Sequence, residues 1–313
     1  MKTRLKGRVG VTGAGGFIGS HLVVRAIAEN VLVRCLRHSK SQRSAPSGVE
    51  IITCDFSDAN SVTAALQDVS VVFHLGGLAS VAAAQESPGA AFHANTLATQ
   101  NILEAARKCG TERVVLLSTA HVYGSPRYLP LTEDHPLAPS SIYAATKLAG
   151  DVLALAYNRT YGLPVNVLRP FNVYGPRQPA NAVVPTIISQ AVRGMAVLVR
   201  DLRPKRDFLF VDDVVDALFR AATAPAAGQE ILLASGDPVS VAGLVRRVTS
   251  ITSGFPTATP EDEPDNGDCV FGKSERAQVL LGWQPKVPLA EGLERTIEWW
   301  REQLPLATAQ DRA

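Results

Sequence analysis

The tightest constraint on this chain lies near its N-terminus. Arg8-Val9-Gly10-Val11-Thr12 reads as a short buried strand. Gly13-Ala14-Gly15-Gly16-Phe17-Ile18-Gly19 follows, and Ser20 to Ala28 reads as a helix. Strand, glycine-spaced turn and helix in that order commit the chain to a β-α unit, whose crossover serves a parallel sheet. The spacing is G-x-x-G-x-x-G rather than the commoner G-x-G-x-x-G, but the physics is shared. Glycines make a tight turn, let backbone approach a pyrophosphate, and seat that anion at a helix N-terminus. An ordinary glycine-rich turn is the plainer alternative, and the strand before and helix after argue against it.

The rest of the first half repeats the alternation. Strands are expected at Val31–Leu36, Val49–Thr53, Val71–Leu75, Val114–Ser118 and Val165–Leu168, with helices at Ala59–Leu66, Leu97–Cys109 and Ile142–Arg159. Such alternation predicts an α/β fold: a Rossmann-type, doubly wound parallel sheet covered on both faces. Beyond Gly175 the chain is richer in proline and less regular. A strand near Val197, a strand Phe208–Val211 and a helix Asp212–Ala222 are expected in a smaller interleaved C-terminal lobe. The predicted division is a dinucleotide-binding domain over 1–173 and a mainly substrate-binding lobe over 174–313, with some segments returning to the first. In doubly wound sheets ligands sit at the carboxyl ends of strands, where Gly13, Asp55, Gly76, Ser118 and Arg169 fall.

Tyr143 and Lys147 are four residues apart and share one face of a predicted helix, with Ser118-Thr119 upstream. A free phenol titrates near pH ~10. An adjacent ammonium favours phenolate and draws the phenol towards the range of a working general acid/base. A Thr119 hydroxyl would hold the oxygen whose proton moves. Alone the spacing is common on exposed helices.

Together, Thr12 to Gly19, Thr119-Ala120-His121-Val122-Tyr123-Gly124, Tyr143-x-x-x-Lys147, Arg169-Pro170-Phe171-Asn172-Val173-Tyr174-Gly175-Pro176 and Arg206 to Asp213 resemble the extended short-chain dehydrogenase/reductases. Within them the chain is similar to the NAD(P)-dependent nucleotide-sugar epimerases and dehydratases. The resemblance runs nearly end to end, closing with Leu281-Gly282-Trp283-Gln284-Pro285. It implies an enzyme with Thr119, Tyr143 and Lys147 as catalytic residues. It implies a cofactor site of Gly13, Gly15, Gly16, Phe17, Ile18, Gly19, Arg37, Asp55, Phe56, Leu75, Gly76 and Gly77, with Tyr143 and Lys147. It places Ser118, His121, Asn172 and Arg206 against a nucleotide-sugar substrate. It also implies a homodimer paired through Leu97–Cys109 and Ile142–Arg159. No metal is implied.

The family's acid after the second strand, which accepts the ribose hydroxyls of NAD, is here Arg37, with Arg34 nearby. A guanidinium there suits the 2′-phosphate, so NADP is preferred over NAD; a solvated strand end is the bland alternative. Family dehydratases carry Asp-Glu after the catalytic threonine, because elimination needs a base and an acid. Decarboxylases keep a glutamate in the second of those positions. Here the pair is Ala120-His121, which disfavours both reactions. The remaining expectation is an epimerase working by transient oxidation to a keto sugar, with Tyr143 as general acid/base. An NADPH-dependent keto-sugar reductase is the alternative, and a catalytically silent NADP-binding sensor ranks behind both. Two departures bear on the substrate. Arg200-Asp201-Leu202 and Arg203-Pro204-Lys205 replace a Gly-Asp-Gly, and Glu263-Pro264-Asp265-Asn266 replaces a stretch that supplies a second phosphate arginine.

Composition adds bounds. A chain of 313 residues, 46% hydrophobic, holds one large α/β domain plus a small lobe. A net charge of +2 implies no polyanion partner, and the four scattered cysteines suit a reducing compartment. No signal peptide or membrane span is expected, so a cytoplasmic protein is predicted.

Overall fold

The computed structural model describes residues 5–38, 47–252 and 268–304. The strands, in chain order, are β1 (Arg8–Thr12), β2 (Leu32–Arg37), β3 (Glu50–Thr53), β4 (Val69–His74), β5 (Arg113–Leu117), β6 (Val165–Pro170), β7 (Asn172–Tyr174), β8 (Lys205–Phe210), β9 (Gln229–Leu233), β10 (Pro238–Ser240) and β11 (Cys269–Val270). Seven of them form one sheet in the order β3-β2-β1-β4-β5-β6-β9, every neighbouring pair parallel. The order turns back at β1, between β2 and β4, the crevice where doubly wound sheets bind ligands.

Central strands read as near-continuous apolar runs because helices bury both faces. On one face, helices Phe17–Ala28 and Val211–Thr223 pack with Trp283 over Val9, Val11, Phe73 and Val115. On the other, helices Ala59–Ala65, Ala98–Lys108 and Ile142–Tyr161 cover Leu36, Val72, Leu116 and Val167. The helix Ile142–Tyr161 starts and stops where its ends dictate. Ser141 caps Ala144 N, and Gly162 turns left-handed at φ 70°.

A second, smaller sheet is built on β8, which runs parallel to β7 and β11 and antiparallel to β10. Its core gathers Ile187, Ile188, Phe208, Leu244, Leu293 and Ile297. The lobe is interleaved, since β9 returns to the large sheet and the helix Val211–Thr223 packs against it.

Two expectations need correction. Val197 is fully buried but lies in no strand, since its apolar side chain serves the lobe's core from an irregular segment. The helix expected from Leu97 is preceded by a π-helical turn, His93–Leu97. The Glu263–Asn266 departure lies outside the described residues. No described helix is long and apolar enough to cross a membrane, and the four cysteines are unpaired.

Candidate active site

The glycine turn is built by steric exclusion. Gly13 has φ +71°, and a Cβ there would lie 2.8 Å from Gly76 N; one on Gly19 would lie 2.1 Å from Gly13 O. The turn is closed by Gly16 N donating to Gly13 O at 2.9 Å, and the helix begins at Phe17. Phe17 and Ile18 pack into the lobe's core, while Leu75 packs against the sheet's. A side chain on Gly13 would fill the close approach to the Leu75-Gly76 segment, and one on Gly19 would strike the backbone of the turn itself at Gly13 and Ala14. That cradle, open at a helix N-terminus, fits a dinucleotide pyrophosphate.

A polar lattice stands behind it. Thr12 Oγ1 accepts from Gly76 N at 2.9 Å and meets His74 Nδ1 at 2.7 Å. Asn95, on the π-helical turn, accepts from Leu78 N at 2.8 Å and donates to Leu78 O and to Thr146 Oγ1. Gly77, at φ +158°, passes so near Asn95 Oδ1 that a Cβ would sit 2.6 Å from it. Sequence reading missed Asn95 and His74; polar residues recurring on a buried helical stripe were the available signal for Asn95, and a histidine closing the apolar run of β4 the signal for His74.

At the ribose end, Arg34 and Arg37 part company. Arg34 is buried and spent on Glu50 Oε2 (3.0 Å) and on the carbonyls of Ala65 and Gln67. Arg37 is half-buried, and among the described residues its Nε is a buried donor without a hydrogen-bond partner. Asp55 turns back on its own loop, one carboxylate oxygen accepting from Ser57 N and Ser57 Oγ, and Phe56 stacks on His38.

At the other end of the sheet edge, Tyr143 and Lys147 stand one turn apart on the helix Ile142–Tyr161. Lys147 Nζ is buried and donates to Leu117 O at 2.5 Å. The Tyr143 phenol meets the Thr119 hydroxyl, and Thr119 also accepts from His121 N at 3.2 Å. Burial pushes the Tyr143 phenol up, with Thr119 pulling it down and Asp151 adding to the rise. The expected lowering by Lys147 is therefore not what governs Tyr143 here: burial dominates, and the group that opposes it is Thr119. Desolvation lowers the Lys147 ammonium, while Asp151 supports it.

His121 stands over this group, its ring 6.0 Å from that of Tyr143 and edge-on at 72°. Its edge is open to solvent, yet the crowding walls and the Arg206 guanidinium lower its pKa, which favours the neutral ring. Arg206 pairs with neither Asp207 nor Asp213. It donates to Asp268 O and, at 2.8 Å, to Asp268 Oδ2. Asn172 spends an amide proton on Asp207 O at 2.9 Å. The structure thus brings Thr119, His121, Tyr143 and Lys147 together, with Arg206 acting on His121 from the lobe. Ser118 is different: its hydroxyl is buried and faces Asp151 rather than the cleft.

Residues 9–234 match the model of the NAD dependent epimerase/dehydratase family, and the chain belongs to that family. A UDP-glucose 4-epimerase of Mycolicibacterium smegmatis is 37% identical over 94% of this chain and 98% of its own. A dTDP-glucose 4,6-dehydratase of Streptomyces antibioticus is 30% identical over 93% and 92%. Among solved structures, MoeE5 in complex with UDP-glucose and NAD superposes with a TM-score of 0.86 at 34% identity, over 96% of this chain and all of that one. RMD from Pseudomonas aeruginosa, complexed with NADPH, does so at 0.83 and 26%, over 96% and 100%. The fold is therefore the Rossmann-type parallel sheet of nucleotide-sugar epimerases, and its neighbours use NAD or NADPH.

Proposed function

We propose that the protein is a nucleotide-sugar 4-epimerase acting on a UDP-hexose by transient oxidation, with Tyr143 as general acid/base. The observation that carries this reading is the wall around Tyr143. The Thr119 hydroxyl lies beside the phenol, Lys147 lies one turn away, and the two positions after Thr119 are filled by Ala120 and His121. Elimination or decarboxylation calls for a carboxyl group there, whereas oxidation and reduction of one carbinol carbon call only for a proton shuttle. The likeness to the mycobacterial epimerase and to the UDP-glucose complex of MoeE5 supports the sugar and the carbon.

The chemistry divides between residues as follows. A bound nicotinamide supplies a hydride acceptor and, in reverse, a donor. Tyr143 takes the proton from the sugar hydroxyl as hydride leaves the same carbon, and returns it after the flat ketone has turned its other face. Thr119 holds the reacting oxygen in line with the phenol. Lys147, anchored on Leu117 O, supplies positive charge on the helix face that carries Tyr143. No net oxidation results, so the same hydride serves both halves. Glycines Gly13 to Gly19 would hold the pyrophosphate, and Arg206 a substrate phosphate.

A second reading, a keto-sugar reductase, is favoured by one observation: the orphaned Nε of Arg37 suits the 2′-phosphate of NADP. The test is to denature freshly purified protein, identify any released nucleotide by chromatography, and incubate native protein with UDP-glucose. Retained nucleotide and appearance of the C4 epimer support the epimerase. An empty site, tighter NADPH than NADH binding and no epimer would replace it with the reductase.

A further inference from the structure

Three consecutive residues at the end of β5 meet three residues on one helix face. Leu117 O accepts from Lys147 Nζ at 2.5 Å, the Thr119 hydroxyl lies beside the Tyr143 phenol, and the Ser118 hydroxyl lies beside Asp151. Positions 143, 147 and 151 are spaced by four, so they rise along one side of the helix like rungs. The first two rungs carry the proposed chemistry. The third is not needed by it.

The third rung is nonetheless charged and dry. Asp151 and Arg169 are 0% and 2% exposed. Arg169 Nε donates to Asp151 Oδ2 at 2.9 Å, and its Nη1 donates to Tyr123 Oη at 3.0 Å, with the guanidinium 5.3 Å over that ring. Burying such a pair costs about as much as it returns, so apolar side chains of equal volume would stabilise the fold as well. Stability alone is a weak reason for it.

The remaining oxygen of the carboxylate supplies a better one. Asp151 Oδ1 and Ser118 Oγ are both buried and lack partners at standard hydrogen-bond geometry, yet the hydroxyl is near enough to draw the Asp151 carboxyl down against the rise caused by burial. Arg169 clamps the carboxylate from β6, whose Leu168 pairs with Leu117 of β5, so the rung is braced from the adjacent strand.

We propose that Asp151, held by Arg169, is a positioning residue for Tyr143 and Lys147. Through Ser118 it fixes the strand end that presents Leu117 O to Lys147 and the Thr119 hydroxyl to Tyr143, and it is the counter-charge of the buried ammonium. The inference rests on the reading of Tyr143 and Lys147 given above. Other titratable groups bear on the same pair from each side. His121 stands after β5 with Arg206 of β8 beyond it, His74 ends β4, and Tyr123 lies against Arg169.

The test compares wild-type protein with Ser118→Ala and with the double variant Asp151→Asn/Arg169→Gln, which removes both charges and strands neither. The first readout needs no sugar. The phenolate absorbance of Tyr143 is titrated as the difference between each protein and its Tyr143→Phe counterpart. The double variant should titrate lower by about half a pH unit or more, because the anion that raises the phenol is gone. The second readout is kinetic: Ser118→Ala should lose about tenfold or more in kcat with KM unchanged and its melting temperature retained. An unmoved phenol midpoint in a folded double variant overturns the proposal. So does wild-type kcat in Ser118→Ala, which decides alone if the double variant fails to fold. If the wild type turns over no nucleotide sugar, the proposed activity has failed, and the phenol titration still judges the positioning role.

Discussion

His74 joins Thr12 to Thr99 across the end of the central sheet, its Nδ1 2.7 Å from Thr12 Oγ1 and its Nε2 3.0 Å from Thr99 Oγ1. Proton counting assigns the tautomer. Thr99 spends its hydroxyl proton on Asn95 O, so it accepts from His74 Nε2–H. Nδ1 must then accept from Thr12, whose oxygen in turn accepts from Gly76 N. The ring is neutral, buried and fully used.

Acid should therefore weaken the fold at a predictable place. Burial, aided by the Lys147 charge, pushes His74 down to about 3, from an ordinary value of 6.5. A depressed folded value means that the unfolded chain protonates first as pH falls. Its contribution is fully present above pH ~6.5 and is lost progressively down to pH ~3, at about 1.4 kcal/mol per unit. Urea unfolding at pH 7 and pH 5 should show this loss. In His74→Gln the pH slope should be shallower and the pH 7 stability lower by about 1–3 kcal/mol.

Tyr143→Phe should cut turnover by about a hundredfold to ten-thousandfold. The phenyl ring keeps the edge contact with His121, so folding and cofactor affinity should change little. Steady-state rates paired with a cofactor titration check both halves, and near-normal turnover would remove Tyr143 from the mechanism.

Arg37→Asp should weaken NADP far more than NAD, since a carboxylate repels a 2′-phosphate and can accept from ribose hydroxyls. Fluorescence titration with both cofactors measures the ratio. An unchanged ratio would assign Arg37 to the surface rather than to the cofactor.

Gly19→Ala should damage the cradle at its narrowest point. The new Cβ would stand 2.1 Å from Gly13 O, a backbone atom that no rotamer can move. Destabilisation of about 1–3 kcal/mol is expected, with a larger loss of dinucleotide affinity than of stability. Thermal melts with and without cofactor separate the two.

What the sequence revealed follows from the range of the interactions involved. Alternating apolar runs gave the parallel sheet within a residue or two at most strand ends, because burial on both faces imprints itself locally. The glycine turn and the Tyr143–Lys147 pair were legible for the same reason, each being a short-range pattern. Asp151 and Arg169 were not singled out as a pair: eighteen positions separate them, and only the packing of a helix on β6 reveals the bond. Arg34 and Arg37 looked alike in sequence, three positions apart on one strand. Their different fates depend on Glu50 and on two carbonyls at the end of a distant helix. Arg206 likewise found its carboxylate in Asp268, far along the chain, rather than in the acids beside it.

The late return of β9 has a consequence for the birth of the protein. Residues Gln229 to Leu233 complete the large sheet beside β6, and Arg113 of β5 reaches across to the carbonyls of Ala224 and Ala226. While the chain emerges from the ribosome, every strand from β1 to β6 is available well before this last one. During that interval β6, buried along its whole length in the finished molecule, presents an unpaired apolar edge. A nascent chain cut after residue 173 is expected to associate through that edge rather than fold alone, because its large sheet lacks the last strand.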